Sequence, residues 1–210
     1  MPAVRVLLLP LLLGLNACSA KSLTQVRGEV RGWTLGMGSV EFLSDDLKTL
    51  SSADLDAVGR FNLGLPLAQT ITPLLQDSLI PKLPAGCAST VRASSAAKYY
   101  SLGDITAYPG SGQKTAYTLV SEDRAGSNSL RITRRLFIYA SQAVDVSGTL
   151  SCPVTGQQPV AIAAVATYGL DLKAGWNRVE SNQTVYNSGA SQTALSTTGE
   201  DGFDRWTVAP

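Results

Sequence analysis

A chain of 210 residues holds one domain, or two small ones, with a sizeable buried core. Its 17 Lys and Arg residues nearly balance 16 Asp and Glu, with no basic cluster, which argues against nucleic acid as a partner. It contains no histidine, which removes Ser-His-Asp and Cys-His catalysis, imidazole-held metals and the usual proton switch near neutral pH.

The first twenty residues read as an export signal. Arg5 gives a positive start, Val6 to Leu15 form an apolar run, and small residues follow. The run is shorter than the roughly 20 apolar residues of a membrane-spanning helix, and Pro10 interrupts it. Leu15-Asn16-Ala17-Cys18 resembles the lipobox of bacterial lipoproteins. Leu15, Ala17 and Cys18 match that motif, and Asn16 departs from it. The resemblance implies cleavage before Cys18, with lipid on its sulfur. Residues 1–17 are then the signal peptide and 18–23 a lipidated tether. The membrane becomes the partner reached through Cys18, and the protein is exported and anchored to the cell membrane or outer envelope. The competing reading is an ordinary signal cut after Ala17 or Ala20, with Cys18 incidental.

Residues 24–66 read as a small β-sandwich-like unit. Val26, Gly28 and Val30 alternate with Arg27, Glu29 and Arg31, a period of two. A turn at Gly36-Met37-Gly38, a strand at Ser39 to Leu43 and a final strand stopping at Pro66 follow. Val26-x-Gly28-x-Val30 and Gly59-Arg60-Phe61-x-Leu63-x-Leu65-Pro66 are similar to the transthyretin-like or carboxypeptidase-regulatory-like β-sandwich family. The resemblance implies a structural or binding appendage without catalytic residues.

Residues 67–86 change to near-helical spacing of leucines. Thr72-Pro73 suits a helix start, and the spacing predicts a short helix over Pro73 to Ile80 followed by a connector. Residues 87–210 return to strands as a larger antiparallel β unit. The sequence leaves open whether it packs with 24–66 as one body. Within it, Thr115 to Ser121 and Leu130 to Ser141 are expected to pair, with Glu122 to Asn128 as the hairpin loop. Pro159 to Tyr168 is almost continuously apolar, as in a strand buried on both faces. Val146-x-Gly148-x-Leu150 echoes Val26-x-Gly28-x-Val30, the trace a decayed repeat would leave. Residues 181–199, rich in Ser, Thr, Asn and Gln, read as exposed strand or loop, and Gly202 to Val208 as a last strand. Asp171 to Val179 resembles a strand-turn-strand of uncharacterised bacterial lipoproteins. The fold class is therefore mainly β, antiparallel and sandwich-like, with one short helix.

Three cysteines fit an oxidising compartment. With Cys18 lipidated, Cys87 and Cys152 remain as a disulfide pair. Their loop of about 65 residues is worth about 4 kcal/mol on the chain-entropy model.

Motifs with chemical meaning are few. Ser95-Ala96-Ala97-Lys98 has the spacing of a serine nucleophile and lysine base, with Lys114-Thr115-Ala116 an incomplete companion. Against this, Lys98 abuts a strand. Asp45-Asp46 with Asp54-x-Asp56 offers oxygens of the kind calcium takes, but lacks the loop pattern that closes such a site. Glu200, Asp201 and Asp204 read as a hairpin turn. Asp104 and Glu122 are candidate carboxylates for a glycosidase, with nothing to pair them. Trp33, Trp176, Trp206 and the tyrosines read as core rather than a sugar-stacking face.

The functional expectation is a non-catalytic envelope lipoprotein acting as a binding or structural module, with no cofactor, no metal and an envelope protein or glycan as ligand. One rival is an envelope-polymer hydrolase using Ser-Lys or paired carboxylates. Another is a carrier of small lipophilic molecules inside a β-barrel.

Overall fold

The structure is a computed structural model, and it describes residues 22–80, 82–83, 85–110, 115–126, 129–154, 162–198 and 202–209. It is mainly β with one short α-helix, as the sequence pattern predicts. Cys18 and residues 1–17 lie outside the described residues.

Seven strands close into a barrel, and the alternation read from the sequence sets which side chains fill it. Strands β1 (Gln25–Val30), β2 (Gly38–Leu43), β3 (Thr49–Leu55) and β4 (Arg60–Gly64) come from the N-terminal stretch. In β1, Val26, Gly28 and Val30 point inward while Arg27 faces solvent. The β3–β4 turn is fixed by Asp56, whose Oδ1 accepts the Val58 and Arg60 amides at 3.0 and 2.8 Å, and by Gly59 at φ +86°.

After β4 come α1 (Ala68–Ile71) and a 3-10 turn (Thr72–Leu74), with β5 (Ala88–Ser89), β6 (Arg92–Ala93) and β7 (Tyr99–Leu102) further on. The helix thus precedes the expected Pro73 to Ile80. Ile71, fully buried, is the side chain that holds the turn against the core. Thr72 does not cap a following helix; its hydroxyl donates back to the Ala68 carbonyl at 2.7 Å. From Leu75 the backbone is extended, and Gln76 bridges to Tyr99. The leucine spacing mistaken for helix belongs to a chain that packs Leu74 and Leu75 on one core and Leu79 on another.

Strands β8 (Asp104–Pro109), β9 (Tyr117–Val120) and β16 (Phe203–Val208) complete the barrel in the order β1-β16-β9-β8-β2-β3-β4. The four strands of 25–64 form one antiparallel run of the barrel, β1-β4-β3-β2, and not a closed unit by themselves. Their open edges, β1 and β2, are sealed by β16, which pairs parallel with β1, and by β8. A small barrel of this kind has room only for its own side chains. Trp206 and Phe42 are fully buried there, and Phe61 packs against the Trp206 ring at 6.1 Å between centroids.

The other strands are β10 (Glu122–Ala125), β11 (Ser129–Ala140), β12 (Val144–Val154), β13 (Ile162–Leu172), β14 (Gly175–Tyr186) and β15 (Ser191–Thr198). They form a nine-stranded sheet in the order β10-β11-β14-β15-β13-β12-β5, with β7 also on β11 and β6 also on β12. Leu130 to Ser141 does not pair with Thr115 to Ser121. Its partner is the segment expected to be loop, Glu122–Ala125, while Tyr117–Val120 belongs to the barrel. The strand expected to be buried on both faces is buried on neither over its described residues: Ala163 and Thr167 are exposed, and Ala164, Val165, Ala166 and Tyr168 are half-buried. The echoing glycines also have separate causes. Gly28 makes room for Trp206, whereas Gly148 sits at φ +127° with its backbone against Thr90.

The nine-stranded sheet curls. β11 and β12 lie far apart in its order, yet only residues 141–143 join them. There the Ser141 amide donates to the Lys98 carbonyl and the Ser94 amide to the Asp145 carbonyl, at 2.9 and 2.8 Å. The two flanks thus meet at one end. One face of β7, β11 and β14 presents Tyr100, Phe137 and Trp176 to the barrel's core. The opposite, concave face forms a second core from Tyr99, Ile138, Val146, Leu170 and Val179 among others.

Candidate functional site

The residues singled out in the sequence are not brought together. Ser95 and Lys98 lie outside any helix. The Ser95 hydroxyl accepts from Gln142 at 3.1 Å, while Lys98 pairs with Asp77 at 3.7 Å. Lys114 is outside the described residues. Asp46 pairs with Lys48 at 2.5 Å and accepts the Ser44 hydroxyl, which holds its carboxyl below the usual value, and Asp56 serves its turn. Among the described residues no three His, Cys, Asp or Glu side chains gather as metal ligands. Asp104 is exposed on β8. The tryptophans are all buried, and Trp176 is met edge-on by Tyr100 and Tyr139 at 6.4 and 5.6 Å while its indole donates to the Pro66 carbonyl. Cys87 and Cys152 are bonded to each other, as expected.

Asp204 is not in a turn. It is buried on β16, where the barrel meets the curled sheet, and takes Arg178 and Arg135 as partners. Arg135 also reaches Asp123 at 3.1 Å, and Asp123 in turn holds Arg31 of the barrel at 3.1 Å. The chain of charges is a seam between the two β bodies. Burial pushes the Asp204 carboxyl above its ordinary value, and the two arginines oppose that shift.

A different arrangement marks the concave face. Register places Leu130, Ile132 and Leu136 of β11, Val185 of β14, Ala166 of β13 and Leu150 of β12 on this one side, together with Ser181 and Gln183 of β14 and Ser191 and Thr193 of β15. Toward the joined end the face is covered by the second core, but Leu130, Val185, Ala166 and Leu150 lie beyond it and are partly or largely exposed. At the β10 flank, Glu122 stands opposite Arg134, and Arg124 opposite Ile132, on that same side. Glu122 is buried, and its two oxygens accept the Nε atoms of Arg124 and Arg134, the second at 2.5 Å. Burial alone would raise the Glu122 carboxyl, but the two arginines outweigh it and hold the group below its ordinary value. Each arginine gives its Nε to Glu122, and each side chain is 54% exposed.

A strap is held at two described points, one on each flank. It leaves the β7 side at Gln76, whose backbone exchanges two 2.8 Å hydrogen bonds with Tyr99, and ends at Cys87, bonded to Cys152 of β12. Leu79 on this strap packs against the second core. The sequence offered no sign of this arrangement beyond the two cysteines. Arg124 and Arg134 sit in a stretch read partly as loop, and only sheet register sets them beside Glu122.

Comparison with known proteins yields no match: no family model, no curated protein and no solved structure aligns with this chain.

Proposed function

We propose that the chain is an exported, lipid-anchored envelope module that binds or supports rather than catalyses. The observation that carries this reading is Leu15-Asn16-Ala17-Cys18 directly after an apolar run with a positive start. The bonded Cys87–Cys152 pair supports an oxidising compartment. The lack of histidine and the prior engagement of Ser95, Lys98 and Glu122 with other partners support a non-catalytic role. Anchoring at Cys18 needs at least two acyl chains for stable residence in a bilayer.

Phase partition tests the reading. The mature protein is expected in the detergent phase, and Cys18→Ser is expected to give an unprocessed precursor or a soluble product. An unmodified mature N-terminus by mass spectrometry would overturn the anchor. Turnover of esters, peptides or glycans abolished by Ser95→Ala or Lys98→Ala would overturn the non-catalytic role.

A second reading, a carrier of small lipophilic molecules, is favoured by one observation: Leu130 and Val185, cross-strand neighbours on the concave face, lie outside its core and are at least partly exposed. The filled barrel is the wrong place for such cargo, and the curled sheet is the better one.

A further inference from the structure

We infer that the surface around the exit of the N-terminal tether, with Leu67 and Ala68 on one side and Lys173 and Ala174 on the other, rests against the lipid bilayer that holds Cys18. The inference rests on the anchor proposed above and names the face of the body that the anchor presents to the membrane.

Three features converge on this face. The first is reach. Ser22 stands four residues past Cys18, and a fully extended chain covers at most about 14 Å over that count. So short a tether holds the bilayer at high effective concentration beside whatever surrounds the exit.

The second is attachment. Residues 22–24 are fixed to the body, so the exit has one place on it. The Leu23 amide donates to the Trp176 carbonyl at 3.3 Å, and the Leu65 amide donates to the Thr24 carbonyl at 2.9 Å. The Leu23 side chain packs on the first core. Ser22 lies against Gly175, where an added β-carbon would stand 3.1 Å from that of the serine. The Trp176 indole donates to the Pro66 carbonyl at 2.8 Å and ties the two sides of the exit together.

The third is what those two sides expose. Leu65 and Pro66 are buried, yet Leu67 directly after them is 65% exposed, and Ala68 is exposed beside it. On the other side Lys173 and Ala174 are exposed in the turn between β13 and β14, flanked by buried Leu172 and Trp176. The apolar stem and charged end of a lysine suit the boundary between hydrocarbon and headgroups. Exposed Asp171 offsets the Lys173 charge, so contact relies on Leu67 and the tether rather than on anionic lipid. The other ends of the molecule are remote. Val58 lies in the turn whose Gly59 carbonyl accepts the Val30 amide, about 17 Å along β1 from Gln25, and Tyr186 lies about 33 Å along β14 from Trp176.

The test uses the lipidated full chain, its acyl groups verified by intact mass, in phosphatidylcholine vesicles that carry a doxyl-labelled phospholipid. With Cys18 acylated and Cys87 bonded to Cys152, one added cysteine is the sole free thiol for a nitrobenzoxadiazole label. Four variants are compared: Leu67→Cys, Ala174→Cys, Val58→Cys and Tyr186→Cys. Quenching is expected to be at least threefold stronger for the first two than for the last two. Equal quenching in all four, or the strongest quenching in Val58→Cys, would overturn the proposal. Adding Leu67→Glu to Ala174→Cys should lower quenching at least threefold at unchanged circular dichroism, and undiminished quenching would also overturn it. Either result in acylated protein removes this face and leaves the anchor standing. A mature chain without acyl groups removes both.

Discussion

The barrel and the curled sheet are built from the same alternating strands, yet one is finished and the other is not. In the barrel, every edge is paired and the interior is occupied by Val26, Phe42, Leu63, Ile105 and Trp206. In the curled sheet, the edges are only partly covered by the short strands β5, β6, β7 and β10, and the concave face is packed at its joined end and mixed apolar and polar beyond it. Closure leaves the barrel with an interior filled by its own side chains and no room for cargo. The strap and its disulfide do for the sheet what strand pairing does for the barrel.

The largest expected effect lies in the barrel. Trp206→Ala removes a fully buried indole and should cost about 3–5 kcal/mol in urea denaturation. Leu136→Ala, on the concave face, should cost less than half of that. Equal losses would mean that the two bodies are equally packed and would break the comparison.

Next in size is the disulfide. Cys152→Ala frees the strap and should cost about 2–4 kcal/mol, as should Cys87→Ala. Faster hydrogen exchange should appear in residues 77–98 and the second core, with the barrel unchanged. Exchange rising equally in β1 and β16 would show that the two bodies unfold as one.

Gly28→Ala is a finer probe of barrel fit. A β-carbon there would lie 2.6 Å from the Trp206 ring, and overpacking of this kind costs about 1–3 kcal/mol. Gly64→Ala on β4, where a β-carbon meets nothing within 4 Å, should leave stability unchanged or slightly raised. Trp206→Phe should relieve part of the Gly28→Ala loss. If it does not, the two side chains do not compete for that space.

The smallest effect separates two buried carboxylates by the sign of their pH dependence. Glu122 is held below its ordinary 4.5, so its contribution is present above that value and is lost as pH falls through the lower, folded one. Asp204 is pushed above its ordinary 3.8, so its contribution is present below that value and is lost as pH rises through the higher, folded one. Glu122→Gln should flatten the acid-side loss of stability, and Asp204→Asn should remove the opposing slope. Urea midpoints followed across the acid range would show both, and slopes of the same sign would contradict the assigned environments.

Much of the fold was legible in the chain, because alternation and turn chemistry act between near neighbours. Val26, Gly28 and Val30 announce an inward face, and Asp56 with Gly59 announces a turn. Cys87 and Cys152 were legible as a pair by their number, and the tryptophans were legible as core. Less of the site was legible. Its apolar strands were visible as strands, but not which of them would be left uncovered, and the arginine pair carried no local signal.

What the sequence alone determined was the β class, the single short helix, the bonded cysteines and the inward face of β1. Only the tertiary structure decided the partners. A period of two says which side of a strand is apolar but not which strand lies beside it, since partner choice depends on contacts between distant parts of the chain. So β16 could close the barrel against β1, and Glu122–Ala125 could take the place beside β11 expected for Thr115 to Ser121. The helix moved for the same reason. Ile71 had a core to enter, while the leucines after it were claimed by two different ones, and packing outweighs helical propensity when the two disagree.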